Sequence, residues 1–455
     1  MLKVMNPATG ALIQDLPDDS APEIAAKFGA AMEAQKAWAA EPLAKRLAVI
    51  KAFRGLVAAR LEALAQTLTA EVGKPIAQSR NELNGMLARV DFFLGAAAEA
   101  LADETVFSDP GMVEKIRHEP LGVVANISAW NYPYFVSSNV AVPALLAGNA
   151  VLFKPSEFAS LSGIAMAQAL HDAGVPEAVF QVVLGNGAAG AALVELPVQG
   201  VFFTGSYATG ARIAKAAAGR MIKVQLELGG KDPAYVRPDV DLKAAAASLA
   251  DGAFYNTGQS CCSVERIYVH ASVYDAFVEA FVAEVKGYAL GDPTRDATYL
   301  GAITRPSHLD YLGHQVVDAV SRGARLLLGG KVLPGPGAFF EATVLADVNH
   351  HMELMREETF GPLIGIQKVA DDAEAVDLMN DTPYGLTAGV YTKDQAAAEA
   401  ILGQVNAGSA YWNCCDRVSP RLPWSGRGHS GMGVVLSNYG IQTFTQPKAW
   451  HLKKA

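Results

Sequence analysis

A chain of 455 residues, 51% hydrophobic and only 18% charged, is too long for one minimal domain and predicts two or three with extensive buried cores. Its 37 basic side chains stand against 46 acidic ones, a formal charge of −9 with no basic block, which argues against nucleic acid or anionic membrane as a partner. The opening MLKVMNPATGALIQ has no apolar h-region, so no secretory signal is read there and a cytoplasmic protein is expected.

After a short strand-like start, residues 20–105 place apolar side chains at helical spacing, with Gly73 and Pro75 as a stop signal. Leu121 to Phe153 carries no Asp, Glu, Lys, Arg or His, a run long enough to span a bilayer. Its many Asn, Ser, Pro and Gly residues instead predict a buried strand–loop–helix. The short apolar runs VVANIS, AVLFKP, FQVVL and GVFFTG, each followed by a turn and a helix-like segment, predict a parallel sheet with crossover helices. Beyond Glu227, PAYV, RIYVH, ARLLLGG and GPLIGIQKV predict a second α/β unit. GNGAAG (185–190) has the glycine spacing of a dinucleotide fingerprint, but no acidic residue stands about twenty positions on, so the match is weak.

The four cysteines form two adjacent pairs, Cys261–Cys262 and Cys414–Cys415. Peptide geometry strains a bridge between neighbours, and neither pair has zinc-ligand spacing, so no disulfide framework and no metal site is expected. Buried, inert thiols are the simplest reading of Cys262, Cys414 and Cys415. For Cys262 the alternative is a redox partner that traps Cys261.

Five segments give the chain its chemistry: SAWNYPY (128–134), FKPSE (153–157), FFTGSYATG (202–210), LELGGK (226–231) and NTGQSCC (256–262), with REETFGP (356–362) following. In this order and spacing they resemble the aldehyde dehydrogenase superfamily, from NPATG near the start to FTQPK near the end. The resemblance implies an α/β protein. A Rossmann-type NAD-binding domain would take residues 1–105 and 121–227, an α/β catalytic domain 228–430, and a small β oligomerisation element 106–120 with 431–455. A homodimer or homotetramer acting on a small-molecule aldehyde is implied.

The same resemblance makes Cys261 the nucleophile, Asn131 with the Cys261 N–H the oxyanion donors, and Glu227 the base that activates water against a thioester. A thiolate suits this work because it attacks carbonyls readily and later departs from a thioester. Lys154 and Glu157 would hold the adenosine ribose, Gly205, Ser206 and Gly210 the pyrophosphate, and Leu228, Glu358 and Phe360 the nicotinamide end. A carboxylate at Glu157 favours NAD, with NADP also accommodated. Lys231 is expected to organise the site. The substrate channel would involve Tyr134, Val136, Asn139, Cys262, Arg417, Arg421 and Trp424. Either one of the two arginines binds an anionic tail, such as that of succinate semialdehyde, or both face solvent or a neighbouring subunit. Two rival functions remain at this stage, a CoA-acylating dehydrogenase, disfavoured by Glu227, and a catalytically idle binding or structural relative.

Overall fold

The structure is a computed structural model and describes residues 1–454; Ala455, the last residue of the expected oligomerisation element, lies outside the described residues. Four helices fill the region read as helical: α1 (Ala21–Ala40), α2 (Leu43–Ala59), α3 (Leu61–Val72) and α4 (Ile76–Ala100). Local chemistry sets their ends. Ser20 and Glu23 form a reciprocal capping box at the start of α1, and Gly73, at φ +80°, closes α3 in the left-handed conformation that glycine adopts most easily. Pro75 then precedes the first turn of α4.

The uncharged run folds as a buried strand (Val123–Ile127) and the helix α5 (Pro133–Ala147), whose side chains are almost all buried. Among the described residues, no helix is long and apolar enough to cross a membrane.

Two sheets carry the molecule. The first has six strands in the order Gly431–Met432, Lys223–Glu227, Gly200–Thr204, Val123–Ile127, Ala150–Lys154 and Phe180–Val182. All but the two-residue edge strand run parallel, with α6 (Ser160–Asp172), α7 (Gly187–Glu195) and α8 (Tyr207–Ala217) in the crossovers. The second has seven, in the order Arg325–Leu328, Thr343–Ala346, Leu363–Val369, Val264–His270, Asp232–Val236, Thr387–Tyr391 and Ser409–Trp412, again parallel except at one edge. Fully buried strands such as Val123–Ile127, Ala150–Lys154 and Asp232–Val236 are what parallel sheets covered on both faces require.

A third sheet joins Glu104–Ser108, Met112–Pro120 and the tail strand Thr445–Lys453, the last two paired antiparallel from Thr445↔Pro120 to Lys453↔Met112. Here the boundaries expected from the sequence shift. The extended element begins at Glu104 rather than 106, and Gly431–Met432 pairs with the strand that ends in Glu227, so it belongs to the first sheet and not to the tail.

Candidate active site

The NTGQSCC segment sits in a backbone that few sequences tolerate. Asn256, Thr257 and Gly258 have φ of 53°, 58° and 69°, three left-handed residues in succession. At Gly258 a Cβ would run into the carbonyl of Gly361, so glycine is required there twice over. Hydrogen bonds hold the strained turn. Asn256 accepts nothing at Oδ1, but its Nδ2 donates to the carbonyls of Asn131 (3.2 Å) and Gln259 (3.0 Å). Gln259 in turn donates to the carbonyl of Ala302 and accepts from Thr304 N.

Two donors remain beside the thiol. Asn131 is 3% exposed, and its Nδ2 spends one hydrogen on the Gln259 carbonyl at 3.1 Å, which leaves the second unspent. The Cys261 N–H donates to no group among the described residues. Cys261 itself is half-buried, and all four cysteines are free thiols.

A cavity of ≈ 630 Å³ is lined by Cys261, Asn131 and Gln259 and takes its other walls from the first sheet and the loops of the second. Its walls include Lys154, Glu157, Gly205, Ser206, Leu228, Glu358 and Phe360, so most residues expected to hold a cofactor meet in one place. Lys154 Nζ stands 3.8 Å from the Glu157 carboxylate, and burial pushes its pKa down. Ser206 caps α8, and Gly205, Ser206 and Thr209 place that helix N-terminus against the cavity. Gly210 does not line the cavity; its lack of a Cβ leaves room for the Leu228 side chain. The glycine run judged a weak fingerprint also reaches the cavity, through Gly187, Gly190, Ala191 and Val194.

On the same wall, Glu358 accepts from Gly230 N at 3.1 Å, and burial raises its pKa to about 8. A Cβ on Gly229 would overlap this carboxylate. Phe360, at φ 50°, meets the Trp130 ring edge-on at 5.5 Å. The loop is pinned by a buried pair that sequence reasoning half saw: Lys231 Nζ donates to Glu265 (2.7 Å) and Thr359 Oγ1, while Glu265 accepts the Thr359 and Phe360 N–H groups. Glu265 was missed, although an adjacent Glu and Arg heading an apolar strand mark charges that must be compensated inside.

Glu227 closes its strand, fully buried, with Oε1 accepting from Gln225 Nε2 at 2.8 Å and Oε2 without a partner. Burial pushes its pKa well above the ordinary carboxylate range. It does not line the cavity.

The expected channel residues fare less uniformly. Tyr134 is not a channel wall: it is 1% exposed, packed in the main core, with its hydroxyl donating to the Leu64 carbonyl. Trp424 is likewise buried, its indole beside Glu227. Val136 is half-buried on α5. Arg417 and Arg421 are both exposed. Cys262 is buried and its thiol donates to Asp416 Oδ1 at 3.0 Å; contact with Cys261 and burial hold its pKa well above the ordinary thiol value.

The Aldehyde dehydrogenase family model matches residues 1–450. The chain belongs to the aldehyde dehydrogenase family. It is therefore an oxidoreductase acting on aldehydes. A 3,6-anhydro-alpha-L-galactose dehydrogenase of Streptomyces coelicolor is 36% identical over 460 residues, covering 100% of this chain and 93% of that protein. A Mycobacterium ulcerans protein, provisionally named as a succinate-semialdehyde dehydrogenase using NADP(+), is also 36% identical, covering 96% and 86%. The crystal structure of an NAD-dependent aldehyde dehydrogenase from Sinorhizobium meliloti superposes with a TM-score of 0.96 at 35% identity, over 99% of this chain and 91% of that one. Mixed α/β architecture with parallel sheets is thus shared with solved aldehyde dehydrogenases.

Proposed function

We propose that this aldehyde dehydrogenase oxidises its substrate to the carboxylic acid through a thiohemiacetal and then a thioester on Cys261, with Glu227 activating the hydrolytic water. The observation that carries this reading is the pair of unspent donors, Asn131 Nδ2–H and Cys261 N–H, beside a half-buried thiol that lines the cavity.

The Cys261 thiolate adds to the aldehyde carbon, and the two donors take the oxygen as it becomes anionic. When bound, a nicotinamide dinucleotide supplies the hydride acceptor. The residues fit such a group. The α8 N-terminus suits a pyrophosphate, Lys154 and Glu157 suit ribose hydroxyls, and the space left by Gly229 admits the Glu358 carboxylate to the cavity wall. Loss of hydride from the substrate carbon leaves the thioester. Glu227 then takes a proton from water, the hydroxide adds to the acyl carbon, and the C–S bond breaks to release the acid and the thiolate. Glu227 lies off the cavity with one oxygen unpartnered, so this reading requires its side chain to rotate to reach the thioester. A Glu whose pKa is raised serves well as a base near neutral pH.

Glu227→Gln tests this directly. It should give one equivalent of reduced cofactor and then stall, with the acyl group found on Cys261 by mass spectrometry, and a turnover about 10²–10⁴-fold below the parent. Full turnover in that variant, or turnover that requires coenzyme A, would reject the hydrolytic reading.

NAD or NADP use, a cytoplasmic location and a homo-oligomer built on the three-stranded sheet complete the proposal. Val106, Phe107 and Leu452 are exposed on that sheet, which supports an interface there.

A further inference from the structure

Two residues before Glu227 stands a second buried polar side chain, Gln225, that belongs neither to the motifs nor to the cavity wall. Side chains two apart on a strand share a face, so Gln225 and Glu227 lie side by side on Lys223–Glu227, with Leu226 on the other face. Gln225 is 1% exposed and Glu227 6%. Gln225 Nε2 donates to Glu227 Oε1 at 2.8 Å, and Oε2 has no partner. Among the described residues no other group donates to this carboxylate in hydrogen-bond geometry.

The tail segment keeps the amide in place. Gly431 and Met432 pair with Glu227 and Leu226. At Gly433, φ +83°, a Cβ would stand 2.9 Å from Gln225 Cγ, and at Gly431, φ +128°, one would collide with the Leu226 carbonyl. Bare backbone at both positions lets the segment press directly on the strand. No charge competes for the carboxylate. The adjoining strand Gly200–Thr204 has no ionisable side chain, and Lys223 donates to the Thr445 carbonyl. Arg212 and Lys215 on α8 and Arg427 beside the tail strand are exposed, and His429 stacks on the Tyr207 ring at 3.7 Å. Burial drives the Glu227 pKa up, and the Gln225 bond works against it.

We propose that Gln225 is the positioning residue for the base: it holds the Glu227 carboxylate against its strand, off the cavity, and each hydrolysis begins by breaking that one bond. The inference rests on the reading above that Glu227 activates the water. A hydrogen bond to a carboxylate is stronger than one to the neutral acid, so Gln225 favours a single state of Glu227, ionised and at rest. Without the amide, the balance between the protonated resting acid and the ionised carboxylate at the thioester is unchanged, while the latter gains on the ionised resting form. Hydrolysis in acid, where the protonated form dominates, therefore stays as it was. The alkaline plateau and the pH at which it is reached both rise.

The test pulses full-length wild type, Gln225→Met and Gln225→Asn with p-nitrophenyl acetate, which acylates a thiol without cofactor or aldehyde. Released nitrophenolate reports acylation, and mass spectrometry of the quenched protein follows loss of the acetyl group from Cys261 between about pH 6 and about pH 10. In Gln225→Met hydrolysis should match wild type at the acid end, reach a plateau about 10-fold higher and have its midpoint about one pH unit more alkaline, with acylation changed less than about twofold. Gln225→Asn, whose amide falls one carbon short of Oε1, should move the same way and is read where the Met variant fails to fold. A lower plateau, an unmoved midpoint, or acylation and hydrolysis changing together overturns the proposal. Infrared difference spectra of each protein against its Glu227→Gln counterpart titrate the carboxyl itself. Wild-type hydrolysis in Glu227→Gln would reject the base assigned above. The hold on Glu227 is then decided by its titration alone, upheld by an upward shift in Gln225→Met and overturned by none.

Discussion

The two large sheets contribute to the site from opposite ends of their strands. In the first sheet the chemistry follows the strands: Asn131 comes just after Val123–Ile127, Lys154 and Glu227 are the last residues of theirs, and Ser206 follows Gly200–Thr204. In the second sheet it precedes them. Cys261 comes before Val264–His270, Glu358 and Phe360 before Leu363–Val369, and Gly229 before Asp232–Val236. The first arrangement is general to parallel sheets, whose carboxyl ends carry turns and helix N-termini suited to phosphate. The second has no such backbone device and relies on buried side chains, above all Lys231 and Glu265, to hold its loops. One side of the site is therefore set by topology and the other by a charge pair, and they should break differently.

Removing the proposed nucleophile tests the meeting point of the two. Cys261→Ser should lower turnover by on the order of 10⁴-fold while cofactor affinity, measured by fluorescence titration, stays close to wild type, because the residues proposed to hold the cofactor, Lys154, Glu157 and Ser206 among them, are untouched. Lys231→Met tests the side held by charge. It leaves Glu265 buried without its cation and should cost about 3–5 kcal/mol in denaturant unfolding, with weaker cofactor binding through the Glu358–Phe360 loop. The double variant Lys231→Met/Glu265→Gln should recover part of that loss, and strict additivity would deny the coupling.

The smallest effect concerns Glu227 at the end of its strand. Its folded pKa lies above the unfolded value, so between the two the unfolded chain binds fewer protons, and stability falls as pH rises through that window. Glu227→Gln removes the penalty. Its Tm should exceed wild type by roughly 1–3 °C at pH 8 and by less at pH 5. In the wild type, the hydrolysis rate should rise with pH over the same window, as the base ionises.

Much of this was legible in the chain. The stop at Gly73 and the buried strands before α5 and α6 express local rules of backbone and burial. The motif residues Cys261, Asn131, Lys154 and Glu358 do converge on one cavity. Strands such as Thr387–Tyr391 and Ser409–Trp412 were not read, because four or five residues with Ala, Gly or Ser carry little periodicity and take their conformation from the neighbours they pair with. Tyr134 and Trp424 have the size and character of channel walls, but the fold turns both inward.

Sequence alone named the groups proposed to react, since the motifs single out a thiol, an amide and a carboxylate before any of them is placed in space. Tertiary structure decided which charges are paired. Lys231 finds Glu265 across 34 positions and Lys74 finds Glu82 across eight, whereas Arg89 is enclosed with none. Whether a buried charge has a partner depends on distances of a few ångströms between segments remote in the chain, and those distances exist only once the chain has packed.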